Sequence, residues 1–282
     1  MLSRRTFLGA SAAPLLAGGH RGPAMFGDAE AYERFMGRWS RRLAPLLVDF
    51  AGVPDGARVL DVGSGTGALA SAIAKRNGRS HIVGIDPSRE FIAHATSRNP
   101  FPDRASFQVG DAQQLSFPDA AFDACLALLV FNFIPDPKKA LLELRRVTKA
   151  GGVIAAANWD YAEGMRMLRV FFDAARSVDP AGKVDESRMP LCRAGELSEL
   201  WSQAGLRNIR EQPLEITMRF QSFGDYWEPF LLGQGPSGAY ARSLNRDRLQ
   251  ALRDAVKQRL SLSDEGRPFA LTARAWAATG SR

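Results

Sequence analysis

The sequence predicts an open α/β fold, a mainly parallel sheet with helices on both faces, and three observations carry that expectation. From Arg58 onward, short apolar runs alternate with amphipathic stretches at helical spacing, the pattern of strand–helix–strand units. The first run, 58–61, breaks into Gly63-Ser64-Gly65-Thr66-Gly67, a turn suited to handing a first strand to its helix. The run at 122–130 is apolar almost throughout, as a central strand buried on both faces should be.

The elements follow in order. A helix with Tyr32, Phe35, Met36 and Trp39 on one face is expected within 28–50, ahead of the sheet. After strand one (58–61), a helix starts near Ala68 and is stopped by Asn77-Gly78. Strand two is 81–86, and Pro87 and Ser88 open the next helix with a first-turn proline and a capping serine. Strand three is 106–109 and strand four 122–130. Helix 137–148 carries Ala140, Leu141, Leu144 and Val147 on one face. Gly151-Gly152 then turns into strand five, 153–157. Beyond Asn158 the alternation loosens: a helix at 165–177, a loop with proline and glycine, a helix at 195–203 and a strand at 207–219. An insertion at 220–267 holds an aromatic run, 223–230, and a basic helix near 244–260, before a closing strand at 271–278. The expected organisation is a core at 58–157 with insertions at 159–192 and 220–267, all within one domain at 25–282.

Composition fits a packed domain. Of 282 residues, 45% are hydrophobic and 24% charged, which excludes a mainly disordered or collagen-like chain. No apolar run approaches the ~20 residues that span a bilayer. Cys125 and Cys192 stand far apart with no CxxC partner, which removes zinc-finger and disulfide-scaffold readings, and no metal site is expected. The net charge of +7 permits an anionic partner without requiring one. Residues 1–24 read differently. Ser3-Arg4-Arg5-Thr6-Phe7-Leu8 matches a twin-arginine export signature followed by a mild apolar stretch, and the other reading is a true start at Met25. Either way the segment is expected to lie outside the fold.

The chemistry concentrates at three strand ends. Glycines at 63, 65 and 67 let backbone approach a ligand, and the helix behind them offers free N–H groups. Gly63, Gly65 and Ala68 also satisfy the dinucleotide pattern G-x-G-x-x-G/A, so the turn alone is ambiguous. Asp61 can accept from an ammonium, Asp86 at the end of strand two can accept both hydroxyls of a ribose, and Asp111 in Gly110-Asp111-Ala112 can accept from an adenine amino group. Together they describe S-adenosylmethionine.

On these residues the chain resembles the class I S-adenosylmethionine-dependent methyltransferases, in particular the small-molecule group that includes ubiquinone and menaquinone C-methyltransferases. The resemblance extends to Tyr32-Glu33-Arg34-Phe35-Met36-Gly37-Arg38-Trp39, Gly84-Ile85-Asp86-Pro87-Ser88, Leu115 to Asp123, and Leu144 to Gly152. It implies a Rossmann-like seven-stranded sheet in the order 3-2-1-4-5-7-6, strand seven antiparallel, with lid insertions. It also implies that Asp61 with Gly63, Ser64, Gly65, Thr66 and Gly67 holds the methionine end, Asp86 and Pro87 the ribose, and Asp111 and Ala112 the adenine.

The acceptor side is sparser. Methyl transfer from a sulfonium is an in-line displacement that alignment alone can accelerate greatly, and a base is needed only if the acceptor must lose a proton. His20, His81 and His94 lie away from the strand tips. Tyr32, Trp39, Asn132, Asp160 and Tyr161 are the acceptor-site candidates, with Phe131 and Trp159 as further rings able to steady a sulfonium. The expected partner is a small-molecule acceptor. Nucleic acid is disfavoured because the base-amino methyltransferase signature is missing after strand four; the basic helix leaves contact with a membrane surface open. A nicotinamide-dependent oxidoreductase and a non-catalytic S-adenosylmethionine-binding protein are the competing classes. Because the donor is made in the cytoplasm, a cytoplasmic protein is expected, with twin-arginine export as the alternative.

Overall fold

Strand β1 (Arg58–Val62) forms the middle of the molecule, paired in parallel with β2 (His81–Asp86) on one side and β4 (Phe122–Leu128) on the other. The structure, a computed structural model, describes residues 28–180 and 185–282, so the twin-arginine stretch and Met25 lie outside the described residues. Outward from β2 lies β3 (Ala105–Val109), and outward from β4 lie β5 (Thr148–Trp159), β7 (Phe269–Ser281) and β6 (Arg207–Phe220). The order is β3-β2-β1-β4-β5-β7-β6, with β7 antiparallel to both neighbours. Chain direction reverses its lateral progress between β1 and β4, and at such a switch point an open α/β sheet leaves a crevice beyond its strand ends.

Each sheet face is closed by its own core. Val59, Ala124 and Leu126 face Leu43 and Leu47 of α2 (Arg38–Ala51) and Ile73 of α3 (Ala68–Arg76). Leu60, Cys125 and Ala127 face Leu141 and Leu144 of α5 (Pro137–Val147) and Trp201 of α7 (Glu196–Gln203). Between α3 and α5 comes α4 (Arg89–Ser97), whose N-cap Ser88 accepts from the Phe91 amide at 3.2 Å. Both central strands are therefore apolar on both sides, which is why they lack alternation.

Strand β5 begins five residues earlier than its apolar run, because the double glycine is a bulge inside the strand and not a turn before it. Thr148 pairs with Phe122 and the register slips before Ala124. Gly151 has φ +77°, and a Cβ on Gly152 would stand 2.7 Å from the Asp123 carbonyl, so bare backbone is needed there.

The N-terminal helix forms as expected but is not uniform. It comprises α1 (Ala29–Tyr32), a π-helical stretch Glu33–Gly37, and α2. Such widened turns recur at functional sites because they re-aim side chains. The insertion near 220–267 folds into α8 (Phe223–Trp227), a 3-10 turn Glu228–Leu232, α9 (Gly235–Ser243) and α10 (Arg246–Arg259). Its aromatic run is an anchor: Phe230 stacks on Phe171 of α6 (Arg166–Val178) with centroids 4.4 Å apart, and meets Phe35 at 5.3 Å. Leu252 and Val256 bury the apolar side of α10, leaving its basic side outward. Among the described residues, no helix is long and apolar enough to cross a membrane.

Candidate active site

The turn after β1 is built from backbone that only glycine adopts easily. Gly63, Gly65 and Gly67 have φ of +66°, +52° and +90°. The Ser64 amide donates to the Ile85 carbonyl at 2.8 Å, fastening the turn to β2. A Cβ on Gly63 would come within 2.4 Å of Val130, so the chain after β4 presses directly on the turn.

Three carboxylates stand at successive strand ends. Asp61 is only 1% exposed; Oδ2 accepts from the Ala70 amide at 2.9 Å, and Oδ1 has no partner among the described residues. Burial pushes its pKa up to about 7, partly offset by the Ala70 hydrogen bond and reinforced by the charge of Asp86. Asp86 accepts from the Ser88 amide at 2.8 Å and the Gly65 amide at 3.0 Å, tying β2 to the glycine turn. Its pKa is also raised by burial, against the pull of those two amides. Asp111, after β3, is exposed and shapes its loop by accepting from the Gln113 amide at 2.8 Å.

Over these strand ends lies a cavity of about 660 Å³. The strand ends and their turns contribute Gly63, Gly65, Asp86, Pro87, Asp111 and Ala112 to its lining. The N-terminal helix, β5 and the segments after it contribute Tyr32, Phe35, Met36, Trp159, Tyr161, Leu168 and Glu186, with Gly235, Pro236 and Ser237 from the start of α9. Tyr32 meets Phe91 at a 5.3 Å centroid distance, and its hydroxyl lies 3.3 Å from Ser40 Oγ. The Trp159 indole N–H donates to Met36 Sδ at 3.3 Å, fixing both side chains. Glu33, on the π-helical stretch, accepts from Thr66 and from Arg41, which latches the N-terminal helix onto the glycine turn.

The sequence-predicted residues divide accordingly. Gly63, Gly65, Asp86, Pro87, Asp111, Ala112, Tyr32 and Tyr161 share the cavity, as does Trp159. Asp61 and Ser64 are buried beside the turn, off the cavity wall, and Thr66 and Gly67 face a neighbouring recess with Glu33, Arg41 and His94. Asn132 is buried, and its side chain lies close enough to Tyr161 to oppose the rise in the phenol pKa.

Two acceptor candidates fall elsewhere. Trp39 is 2% exposed in the core, edge-on to Phe220 at 5.2 Å and under the Arg38 guanidinium at 4.1 Å. By that turn the helix face has rotated away from the cavity onto β6. Asp160 is held by Arg274 Nε at 2.9 Å and accepts from the Glu163 amide at 3.0 Å. It fixes the turn after β5 to β7. Phe131 is likewise buried on the opposite sheet face, against Trp201 at 5.2 Å.

Sequence reasoning missed Glu186. It stands in Asp185-Glu186-Ser187, polar and without periodicity, which reads as a solvated loop. Yet it is only 6% exposed, because Arg169 of α6 pairs with Asp185 at 2.8 Å and holds this stretch against the core. Burial pushes the Glu186 carboxyl up to about 7; Asp185 adds to the rise and Arg169 opposes it.

Comparison with known proteins adds four findings. The family described as "Methyltransferase domain" matches residues 60–156. The 2-methyl-6-phytyl-1,4-hydroquinone methyltransferase of Synechocystis is 35% identical over 121 residues, 43% of this chain, and the match spans only 38% of that relative's length. The malonyl-[acyl-carrier protein] O-methyltransferase of Geobacter sulfurreducens is 30% identical over 191 residues, 67% of this chain and 68% of that one. Among solved structures, the YcgJ protein of Bacillus subtilis superposes with a TM-score of 0.56 at 21% identity, covering 86% of this chain and 98% of that one, a likeness of fold.

Proposed function

This chain belongs to the class I methyltransferase family, and from that premise we propose that it moves the methyl group of S-adenosylmethionine onto a small, largely apolar organic acceptor. The observation that carries the proposal is one cavity with a mixed lining. Asp86 and Asp111 line it at successive strand ends, and Phe35, Met36, Trp159 and Leu168 add apolar surface to the same cavity.

The residues present fit the donor. Asp61 Oδ1 is a buried carboxylate oxygen lacking a partner among the described residues, which suits the donor's ammonium. Gly63 through Gly67 form the bare-backbone cradle for the methionine end; Ser64 adds a buried hydroxyl without a partner among the described residues. Asp86, beside Pro87, would exchange its bond to Gly65 for the ribose hydroxyls, and Asp111 with Ala112 would meet the adenine. When bound, the donor supplies an electrophilic methyl on a positively charged sulfur. The chain's own part is to hold that methyl in line and exclude water beneath the N-terminal helix and α9. Tyr32 and Tyr161 provide polar edges on the acceptor wall; burial raises both phenol pKa values, so they act as hydrogen-bonding hydroxyls. Asn132, buried beside Tyr161, opposes that rise.

The Synechocystis relative is named for a phytyl hydroquinone, a long hydrocarbon chain on a ring with two phenolic hydroxyls, which supports a largely apolar acceptor for this cavity. We assign the work to the cytoplasm, where the donor is made. Calorimetric titration of the parent protein tests the donor: S-adenosylmethionine should bind at least tenfold more tightly than NAD. Tighter binding of NAD would overturn the proposal.

A further inference from the structure

We propose that Glu186 is the proton acceptor of this active site, and that its charge follows the charge on the donor's sulfur: ionised opposite the sulfonium, protonated once the methyl has left. The inference rests on the reading that this cavity binds S-adenosylmethionine.

Position comes first. Among the described residues lining the cavity there is no lysine, arginine or histidine, and the acids are Asp86, Asp111 and Glu186. Asp86 is engaged by two backbone amides and Asp111 by its own loop. Glu186 lines the cavity with Tyr161, whose phenol feels its charge. A buried carboxyl with a structural task has its oxygens bonded, yet Glu186 Oε2 has no partner among the described residues. Nor is it a solvated loop acid, since so little of it is exposed.

The surroundings make this carboxyl responsive to charge. The titratable groups acting on it or through it are Asp185, Arg169, Tyr161 and Cys192. Arg169 is committed to Asp185 at 2.8 Å and Asp173 at 2.7 Å, so its charge is already opposed. The thiol and the phenol are both pushed upward by burial and stay protonated at neutral pH. Glu186 is left as the group among these that titrates near neutrality. A cation entering a low-dielectric cavity favours the carboxylate; removing that cation restores the neutral acid.

The chemical consequence is a balanced proton transfer. An acceptor hydroxyl gives its proton to the Glu186 carboxylate. The electron pair so released, on oxygen or delocalised onto carbon, forms the bond to the methyl carbon. The bond from that carbon to sulfur breaks and leaves its pair on sulfur. Carboxylate plus sulfonium becomes carboxylic acid plus thioether, so the step leaves the net charge of the cavity unchanged. A base of this strength selects an apolar molecule with a weakly acidic hydroxyl, a phenol or an enol, over a simple alcohol.

S-adenosylmethionine and S-adenosylhomocysteine carry the same adenosine and amino-acid ends and differ at the sulfur, so contributions from Asp61 and Asp86 common to both cancel in their affinity ratio. For a group with the higher pKa in the homocysteine complex, the methionine complex holds fewer protons near neutrality, so its relative affinity must rise with pH. A coupling that moves the carboxyl's midpoint by one pH unit changes the ratio about tenfold. Calorimetry of both ligands from below pH 6 to above pH 8 should show that rise in the parent protein. Glu186→Gln should bind S-adenosylhomocysteine with near-parental affinity and show a flat ratio. Proton release measured in two buffers of different ionisation enthalpy gives the same test without a variant: more protons should leave with S-adenosylmethionine than with S-adenosylhomocysteine. A flat ratio with equal proton release in the parent, or a rise that survives in Glu186→Gln, overturns the role of Glu186. Binding of neither ligand would instead overturn the donor reading on which it rests.

Discussion

Alanine at Gly63 should cost roughly 2–5 kcal/mol of stability, the largest effect expected of any single methyl group in the site. Two terms add. Its φ of +66° lies in the left-handed region, which costs a residue with a Cβ about 1–2 kcal/mol. The new Cβ would also stand 2.4 Å from a Val130 methyl, and relieving such overpacking costs about 1–3 kcal/mol. Val130 lines the cavity, so the displaced side chain should weaken donor binding as well. Gly65→Ala is the internal control. Its φ is +52°, but its nearest neighbours are 4.0 Å away, so it carries only the backbone term. Urea denaturation of the two variants should rank Gly63→Ala clearly below Gly65→Ala; equal midpoints would mean that the turn is not clamped by the chain after β4.

Removal of the Asp86 carboxylate should raise the dissociation constant for S-adenosylmethionine tenfold or more. A charge-assisted hydrogen bond contributes about 1.5–3 kcal/mol, and each 1.4 kcal/mol is about a factor of ten in affinity. Asp86→Ala also frees the Gly65 and Ser88 amides, so some loosening of the turn accompanies the lost ribose contact. Calorimetry separates the two, because a loosened turn lowers thermal stability without ligand, whereas a lost contact shows in the affinity. Unchanged affinity would remove Asp86 from the site.

These two effects sit where the sequence was most legible, and the reason is physical. Strand ends in a parallel sheet are marked by abrupt changes from apolar to glycine or acid, so Asp61, Asp86 and Asp111 announce themselves. The order of the outer strands is different: it came from resemblance, since nothing local in Phe269–Ser281 says that this strand inserts between β5 and β6. The bulge at Gly151-Gly152 looked like a turn because its cause, the Asp123 carbonyl, is remote in sequence. Helix α9 was hidden because Gly235-Pro236-Ser237-Gly238 is a poor helix former. It is helical because it packs on the preceding turn, where a Cβ at Gly238 would stand 2.7 Å from Gly233 backbone. Trp39 and Asp160 were plausible by sequence proximity to site residues, but one helical turn and one ion pair with Arg274 take them away. Glu186 owes its burial to Arg169, seventeen positions earlier, a pairing that no periodicity reports.

The central claim is that this chain methylates a small apolar molecule. Incubation with S-adenosylmethionine carrying an isotopically labelled methyl group, together with fractionated cell extract, tests it most directly, with products identified by mass spectrometry. The account predicts label in a low-mass, organic-soluble product, formed together with S-adenosylhomocysteine. Label recovered in nucleic acid or protein, or donor that binds and is never consumed with any fraction, would contradict it.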